Sequence, residues 1–166
     1  MPETTIDPLE PWPDTVDWRP VSNRLLWQRL VHAGSALLVL VVAALVAARL
    51  VHPLFLLAGA AIVAGGIVRA VLIARSVRAW GYAERAEDLL VRHGLLIRRL
   101  SIVPYARMQF VDVTAGPLER ALGIATVTLH TAAAASDATV PGLEGAEATR
   151  LRDRLTALGQ AHHEGL

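Results

Sequence analysis

Pro104-Tyr105-Ala106-Arg107-Met108-Gln109-Phe110-Val111-Asp112-Val113, followed by Gly116-Pro117-Leu118-Glu119-Arg120-Ala121-Leu122-Gly123-Ile124-Ala125-Thr126-Val127, is the stretch on which the fold of this chain turns. It reads as strand, turn, one short helical turn and strand. Gly116-Pro117 stops the first strand, because proline removes a ladder donor and glycine accepts a sharp backbone. Leu118 and Leu122 stand at i and i+4, so one helical turn can press both onto an apolar surface before Gly123 releases the chain. The second strand alternates, with Ala125, Val127 and Leu129 on one face and Thr126, Thr128 and His130 on the other. None of this is a catalytic pattern.

Outward from that stretch the chain becomes strongly apolar. Its 166 residues are 54% hydrophobic, with a mean hydropathy of +0.43. That is too apolar for an average soluble domain and too short for a large transporter, and it points to a small membrane protein with one extramembrane domain. The absence of cysteine excludes disulfides and thiolate metal sites. Every basic residue is arginine, the better partner for phosphate. From Arg69 to Arg107 eight arginines face three acids, whereas from Met108 onward four face seven. The positive charge thus follows the apolar segment directly, where an anionic head group attracts each arginine by roughly 1 kcal/mol.

Residues 1–20 hold five prolines and five acids and read as a disordered tail rather than a signal peptide. Residues 21–79 read as a membrane domain. Ser22 or Asn23 is placed to cap a helix beginning near Arg24. Residues 30–48 lack any Arg, Lys, Asp or Glu and as a helix span about 28 Å, the thickness of the hydrocarbon core. A second apolar helix is expected over residues 54–74, with small residues spaced four apart: Ala60 and Ala64, Ala61 and Gly65, and on the first helix Ala43 and Ala47, Ala44 and Ala48. Arginines flank the pair on the outer sides (Arg19, Arg24, Arg29; Arg69, Arg75, Arg78), with only Arg49 between the helices. Both termini and the domain beyond are therefore expected in the cytoplasm of a two-pass protein.

Residues 80–160 read as a separate domain and 161–166 as a tail. A strand at 80–85 is followed by a hairpin, residues 88–93 and 95–103 around Gly94, with Leu89, Val91, Leu95 and Ile97 as core candidates. Ala138-Thr139-Val140 is expected as a short strand ended by Pro141-Gly142. A helix over residues 143–158 carries Ala148, Leu151, Leu155 and Leu158 on one stripe, with Gly159 after its last turn. The outline is an α+β membrane protein: a transmembrane hairpin, then six or seven antiparallel strands closed by a C-terminal helix.

On Pro104-Tyr105-x-Arg107-x-Gln109-x-Val111, then Gly116-Pro117-Leu118-x-Arg120-x-Leu122-Gly123-Ile124-Ala125-Thr126-Val127 and Thr131-Ala132, the chain resembles the bacterial pleckstrin-homology-like (PH-like) membrane proteins of the YdbS type. The resemblance implies two transmembrane helices and one PH-like barrel or sandwich with a C-terminal helix. It further implies no enzymatic activity and no cofactor, and a larger membrane protein with repeated PH-like domains as partner, with self-association possible by analogy. A eukaryotic phosphoinositide reader carries a basic cluster between its first two strands. The corresponding stretch here reads Glu84-Arg85-Ala86-Glu87-Asp88, net acidic, which argues against specific phosphoinositide binding.

Individually, the motif residues Pro104, Tyr105, Arg107, Gln109, Gly116, Pro117, Leu118, Arg120, Leu122 and Gly123 are expected to do structural work: Arg107 in an ion pair with Asp112 or Glu119, Gln109 on turn backbone. The candidates for binding lipid or a partner are Arg75, Arg78, Arg85, Arg92, Arg98 and Arg99. Alternation places Arg98 and Arg99 on opposite faces. The six histidines form no HExxH pattern, Ser101 and Ser136 lack a nucleophile turn, and no glycine-rich phosphate loop is present. No metal and no nucleic-acid partner is expected. The functional expectation is a non-enzymatic membrane-anchored module that tethers or scaffolds by binding a partner protein, itself or anionic membrane lipid. The alternative is an accessory subunit of a transport or export complex.

Overall fold

A computed structural model describes residues 16–132 and 137–164, with side chains to Gln160. Most of the acidic N-terminal tail, the alanine-rich turn with Ser136, and the extreme C-terminus lie outside the described residues. The chain forms two compact units, Leu26–Arg75 and the segments on either side of it.

The first unit holds most of two helices, α1 (Arg24–Leu50) and α2 (Phe55–Arg78), each long and apolar enough to cross a membrane. Their outer surfaces are aliphatic, with Leu38, Val39, Leu57 and Ile67 all more than 60% exposed. Small residues let the helices touch: Ala44, one of those expected, is buried on α1, whereas on α2 the contact is made by glycines not singled out. Gly59 lies against Ala44, and Gly66 leaves room for the Leu37 side chain, which a Cβ would meet at 2.5 Å. Gly59, Ile62 and Gly66 therefore form the inner stripe of α2, while Ala60, Ala61, Ala64 and Gly65 are exposed. A cleft of about 430 Å³ remains between the helices, lined by Leu30, Ala33, Leu37, Ile62, Gly66 and Arg69 among others.

The second unit is a sandwich of two antiparallel sheets. One has the order β1 (Arg19–Pro20), β2 (Gly81–Glu84), β3 (Asp88–His93), β4 (Arg99–Pro104). The other has β5 (Met108–Thr114), β6 (Ile124–Thr131), β7 (Ala138–Glu144). Among the described residues no strand is shared between the sheets, so the barrel is not closed. A 3₁₀ turn at Tyr105–Arg107 carries the chain from one sheet to the other, α3 (Pro117–Leu122) links β5 to β6, and α4 (Gly145–Glu164) packs on the second sheet.

The alternation expected for β6 holds: Ala125, Val127 and Leu129 are buried, while Thr126, Thr128 and His130 are partly exposed. Ala148, Leu151 and Leu155 of α4 are buried. Gly159 does not end this helix. It lies on the same stripe four residues beyond Leu155, where Met108 Cε approaches to 3.2 Å of a hypothetical Cβ, and the helix continues past it.

Two expected strand ends move. β7 does not stop at Pro141-Gly142; a bulge opposite Thr126 absorbs both residues, and pairing resumes with Leu143 and Glu144. Gly142 takes φ +68°, and Leu25 occupies the space a side chain would need, with Leu25 Cβ at 2.6 Å. The hairpin of β3 and β4 begins its second strand at Arg99, not Leu95. Ile97, expected in the core, is 69% exposed, and Leu95 is only half-buried.

The largest departure concerns connectivity. Arg19 and Pro20, the end of the stretch read as a tail, pair with Tyr82 and Gly81 and supply the first strand of the domain. The whole helical hairpin is thus the connection between β1 and β2. Glu84-Arg85-Ala86-Glu87-Asp88, expected between the first two strands, instead spans the turn between the second and third. The acidity of that turn therefore says nothing about a loop between the first and second strands.

Candidate functional site

The motif stretch spends its polar groups inside the fold. Gly116 begins α3, and the Glu119 carboxylate returns to accept its N–H through Oε2 at 2.8 Å; Oε1 accepts the Thr126 hydroxyl at 3.0 Å. Gly123 ends the helix in the left-handed region at φ +67°, its N–H bonded back to Glu119 and Arg120. Leu118 and Leu122 are half-buried. Tyr105 is fully buried, donates its hydroxyl to the Arg85 carbonyl at 3.1 Å, and burial pushes its pKa up to about 12. Gln109 is exposed and is the extra residue of a bulge between Met108 and Phe110.

Arg107 departs from expectation. It is exposed and forms no ion pair with either carboxylate expected for it: Glu119 bonds Gly116 and Thr126 as above, and Asp112, itself exposed, lies 3.9 Å from His130 Nε2. His130 stacks on the half-exposed Phe110 ring (centroids 4.4 Å apart), and its Nδ1 meets Asp137 Oδ2 at 3.0 Å. The Thr131 N–H bond to Asp137 Oδ1 (2.8 Å), more than the histidine, holds the Asp137 carboxyl below the usual range.

The six candidate arginines separate into different environments. Arg85 grips Asp88 with two bonds of 2.6 Å and locks the turn between β2 and β3. Arg92 lies across Gly81, where a Cβ would meet its Nε at 2.8 Å, and reaches the Trp18 ring with its guanidinium carbon 4.7 Å from the centroid. Arg98 and Arg99 are exposed at the start of β4, and Arg75 and Arg78 are exposed on the last turns of α2.

The pairing gathers a subset of these at one end of the first sheet. Gly81 faces Arg92 and His93 faces Arg99, so the start of β2, the end of β3 and the start of β4 lie together. Trp80, the residue leading into β2, stacks on His93 with centroids 4.8 Å apart. Burial first, and Arg99 second, lower the His93 pKa, which favours the neutral ring. Between β3 and β4 the loop raises Leu96, 93% exposed. This end therefore combines an indole, exposed aliphatic side chains and arginines.

Sequence reading missed the charged network that fastens α4 to the first sheet. Glu84, its side chain only 7% exposed, accepts Arg150 Nη2 at 2.6 Å and Arg154 Nε at 3.0 Å. Glu147 accepts Arg150 at 2.8 Å, Arg19 at 3.2 Å and the Tyr82 hydroxyl at 2.5 Å. Arg150 above all holds the Glu147 pKa down to about 2, and burial, reinforced by Glu147, raises that of Tyr82 to about 12. Apart from Glu147 and Arg150, the partners stand more than sixty residues apart, so no local spacing announces the joining of α4 to the sheet. Among the described residues, no group of three or more His, Asp or Glu side chains is arranged to hold a metal ion.

Residues 31–158 match the bacterial PH domain family. The chain is similar to the UPF0699 transmembrane protein YdbS of Bacillus subtilis (strain 168), with 34% identity over 103 residues. The aligned part covers 61% of this chain and 64% of that protein, just under two thirds of its length. No solved structure matches the chain.

Proposed function

The chain belongs to the bacterial PH domain family, and from that premise we propose that it is a non-catalytic, membrane-anchored module that holds a partner at the cytoplasmic face of the bilayer. The observation that carries this reading is the insertion of the helical hairpin between β1 and β2. The chain of the domain runs into the hairpin after β1 and returns from it before β2. On the entry side, the Ser22 N–H bonds the Gly142 carbonyl at 3.0 Å, Leu25 is buried against Gly142, and Arg24 donates to the Leu122 carbonyl at 3.2 Å. On the exit side, only Ala79 and Trp80 separate α2 from β2. Such an anchor converts a weak binding face into an effective one by raising local concentration. The excess of arginine on the outer flanks of the helices supports a cytoplasmic domain.

The fitting occupants are a larger membrane protein with repeated PH-like domains, a second copy of this chain, or anionic lipid. Purification of the full chain in mild detergent after crosslinking tests the tethering reading. A stoichiometric PH-like partner or a defined homo-oligomer is expected; a monomer without crosslinks and without retained anionic lipid refutes it.

One observation favours the alternative of an accessory subunit in a transport or export complex. α2 leaves Ala60, Ala61 and Ala64 exposed and outside the cleft that faces α1, a surface on which another helix can approach closely. Ala61→Ile with Ala64→Ile should then release a multispanning partner. Retention of every partner by that variant rejects the alternative.

A further inference from the structure

We infer that the loop between β3 and β4 is a membrane-inserting wedge, with Leu96 and Ile97 entering the acyl boundary of an anionic bilayer and Arg98 and Arg99 engaging its phosphates. The inference rests on the reading of the domain as held at the membrane, and goes beyond it by assigning the contact.

Turns between strands are ordinarily built from Gly, Pro, Asn, Asp and Ser, yet this one reads Gly94-Leu95-Leu96-Ile97-Arg98. Three consecutive aliphatic residues at a tip oppose solubility unless something covers them. Leu96 is 93% and Ile97 69% exposed, while Leu95 is half-buried at the root. The loop also has a fixed shape. Gly94 takes φ +103°, and the Ile97 carbonyl oxygen lies 2.0 Å from where a Cβ would stand, so only glycine admits this close turn. The two aliphatic side chains are thereby held outward together.

Charge identifies the occupant. No acidic residue occurs between Asp88 and Asp112, an interval that contains Arg92, Arg98, Arg99 and Arg107. An apolar protein groove would be satisfied by the leucine and isoleucine alone. Two exposed arginines directly behind an apolar tip match the layering of an anionic bilayer, where hydrocarbon lies beneath phosphate. Location agrees. The tip shares its end of the sheet with Trp80, stacked on His93 and two residues beyond the end of α2. An indole at that position suits the interfacial zone.

The test uses the full chain, whose lack of cysteine permits single-site labelling. Leu96→Cys, Ile97→Cys, Thr139→Cys and Leu40→Cys, each carrying a nitroxide, are reconstituted in vesicles of phosphatidylcholine with or without phosphatidylglycerol. Collision with oxygen and with a water-soluble nickel chelate then reports depth. In anionic vesicles the labels at 96 and 97 are expected to favour oxygen, at a depth of roughly 5–10 Å below the phosphates, while the label at 139 stays in water. Adding Arg98→Glu and Arg99→Glu should return the 96 label to water.

A 96 label as open to nickel as the 139 label, with the 40 label in hydrocarbon, overturns the wedge and leaves the anchored domain standing. A 96 label shielded from both reagents indicates a protein groove or a second copy and also overturns it. A 40 label in water removes the anchoring premise itself.

Discussion

The motif stretch and the β3–β4 tip are both irregular connections between antiparallel strands, and they treat their side chains in opposite ways. Between β5 and β6, the polar residues turn inward: Glu119 closes on Gly116 and Thr126, and the flanking leucines are half covered. Between β3 and β4, the apolar residues turn outward, with Leu96 almost wholly in solvent. The first connection is the one a sequence reader notices, because its residue types are unusual and fixed by turn geometry. The second carries surface that the fold itself does not need. A connection whose chemistry is used up internally identifies the fold, whereas one whose chemistry is left over is where to look for a partner.

An outward loop as soft as an ordinary surface loop would not hold its apolar side chains in place. Gly94→Ala introduces a Cβ 2.0 Å from the Ile97 carbonyl at a backbone angle that alanine resists. The expected loss is about 2–3 kcal/mol, since backbone must move. Thermal unfolding of the full chain in detergent, followed by tryptophan fluorescence, measures it. An unchanged midpoint means that the tip is not held in one shape.

Glu119→Ala probes the inward connection. It removes the carboxylate that satisfies the Gly116 N–H and the Thr126 hydroxyl, at an expected cost of about 1–2 kcal/mol in the same assay. Glu119→Gln, which keeps an acceptor, should recover more than half. Equal losses in both variants would show that charge, not hydrogen bonding, matters at this cap.

Charge committed within the fold should also appear in the pH dependence of stability. Glu147 titrates near 2 in the folded chain because Arg150, Tyr82 and Arg19 hold its carboxylate, against 4.5 for a free glutamate. A depressed carboxyl stabilises the fold above the unfolded value, and that stabilisation fades as pH falls from about 4.5 toward 2. The wild-type midpoint should therefore drop across this window. Glu147→Gln should flatten the drop and cost about 1 kcal/mol at neutral pH. A wild-type slope that persists in the variant assigns the acid sensitivity to other carboxyls.

Much of this architecture is legible in the residues, and what escapes does so for definable reasons. The two apolar helices, the period of β6, the paired strands around Gly94 and the stripe on α4 all follow from periodicities of 2 or 3.6. Arg19 and Pro20 cannot be recognised as a strand, because two residues have no period and their partner lies sixty positions away. With them goes the insertion of the hairpin into the domain, the feature on which the proposed anchoring rests. Leu95, Leu96 and Ile97 mislead for a related reason: in an unbroken aliphatic run, alternation cannot mark where a strand begins. Of the six arginines singled out, spacing gives no means to separate Arg85, bound to Asp88 at 2.6 Å, from Arg98 and Arg99, exposed beside the tip.

The smallest expected effects are the most discriminating. Arg107 belongs to the motif, yet it is exposed and no ion pair joins it to Glu119 or Asp112. Arg107→Ala should change stability by no more than about 0.5 kcal/mol, the range of an ordinary surface substitution. Leu96→Ser should be equally neutral or slightly stabilising, because it removes apolar surface from water and breaks no contact of a buried side chain. Near-equality of these two variants in the unfolding assay is therefore expected, and the difference between them must appear elsewhere: in the fraction of protein retaining its partner or its anionic lipid through detergent washing. Leu96→Ser should lower that fraction and Arg107→Ala should not. If Arg107→Ala instead destabilises the fold as strongly as Glu119→Ala, the motif keeps an internal role for this arginine. If Arg107→Ala alone loses the partner or lipid, the binding face lies beside the sheet-to-sheet crossing and not at the tip.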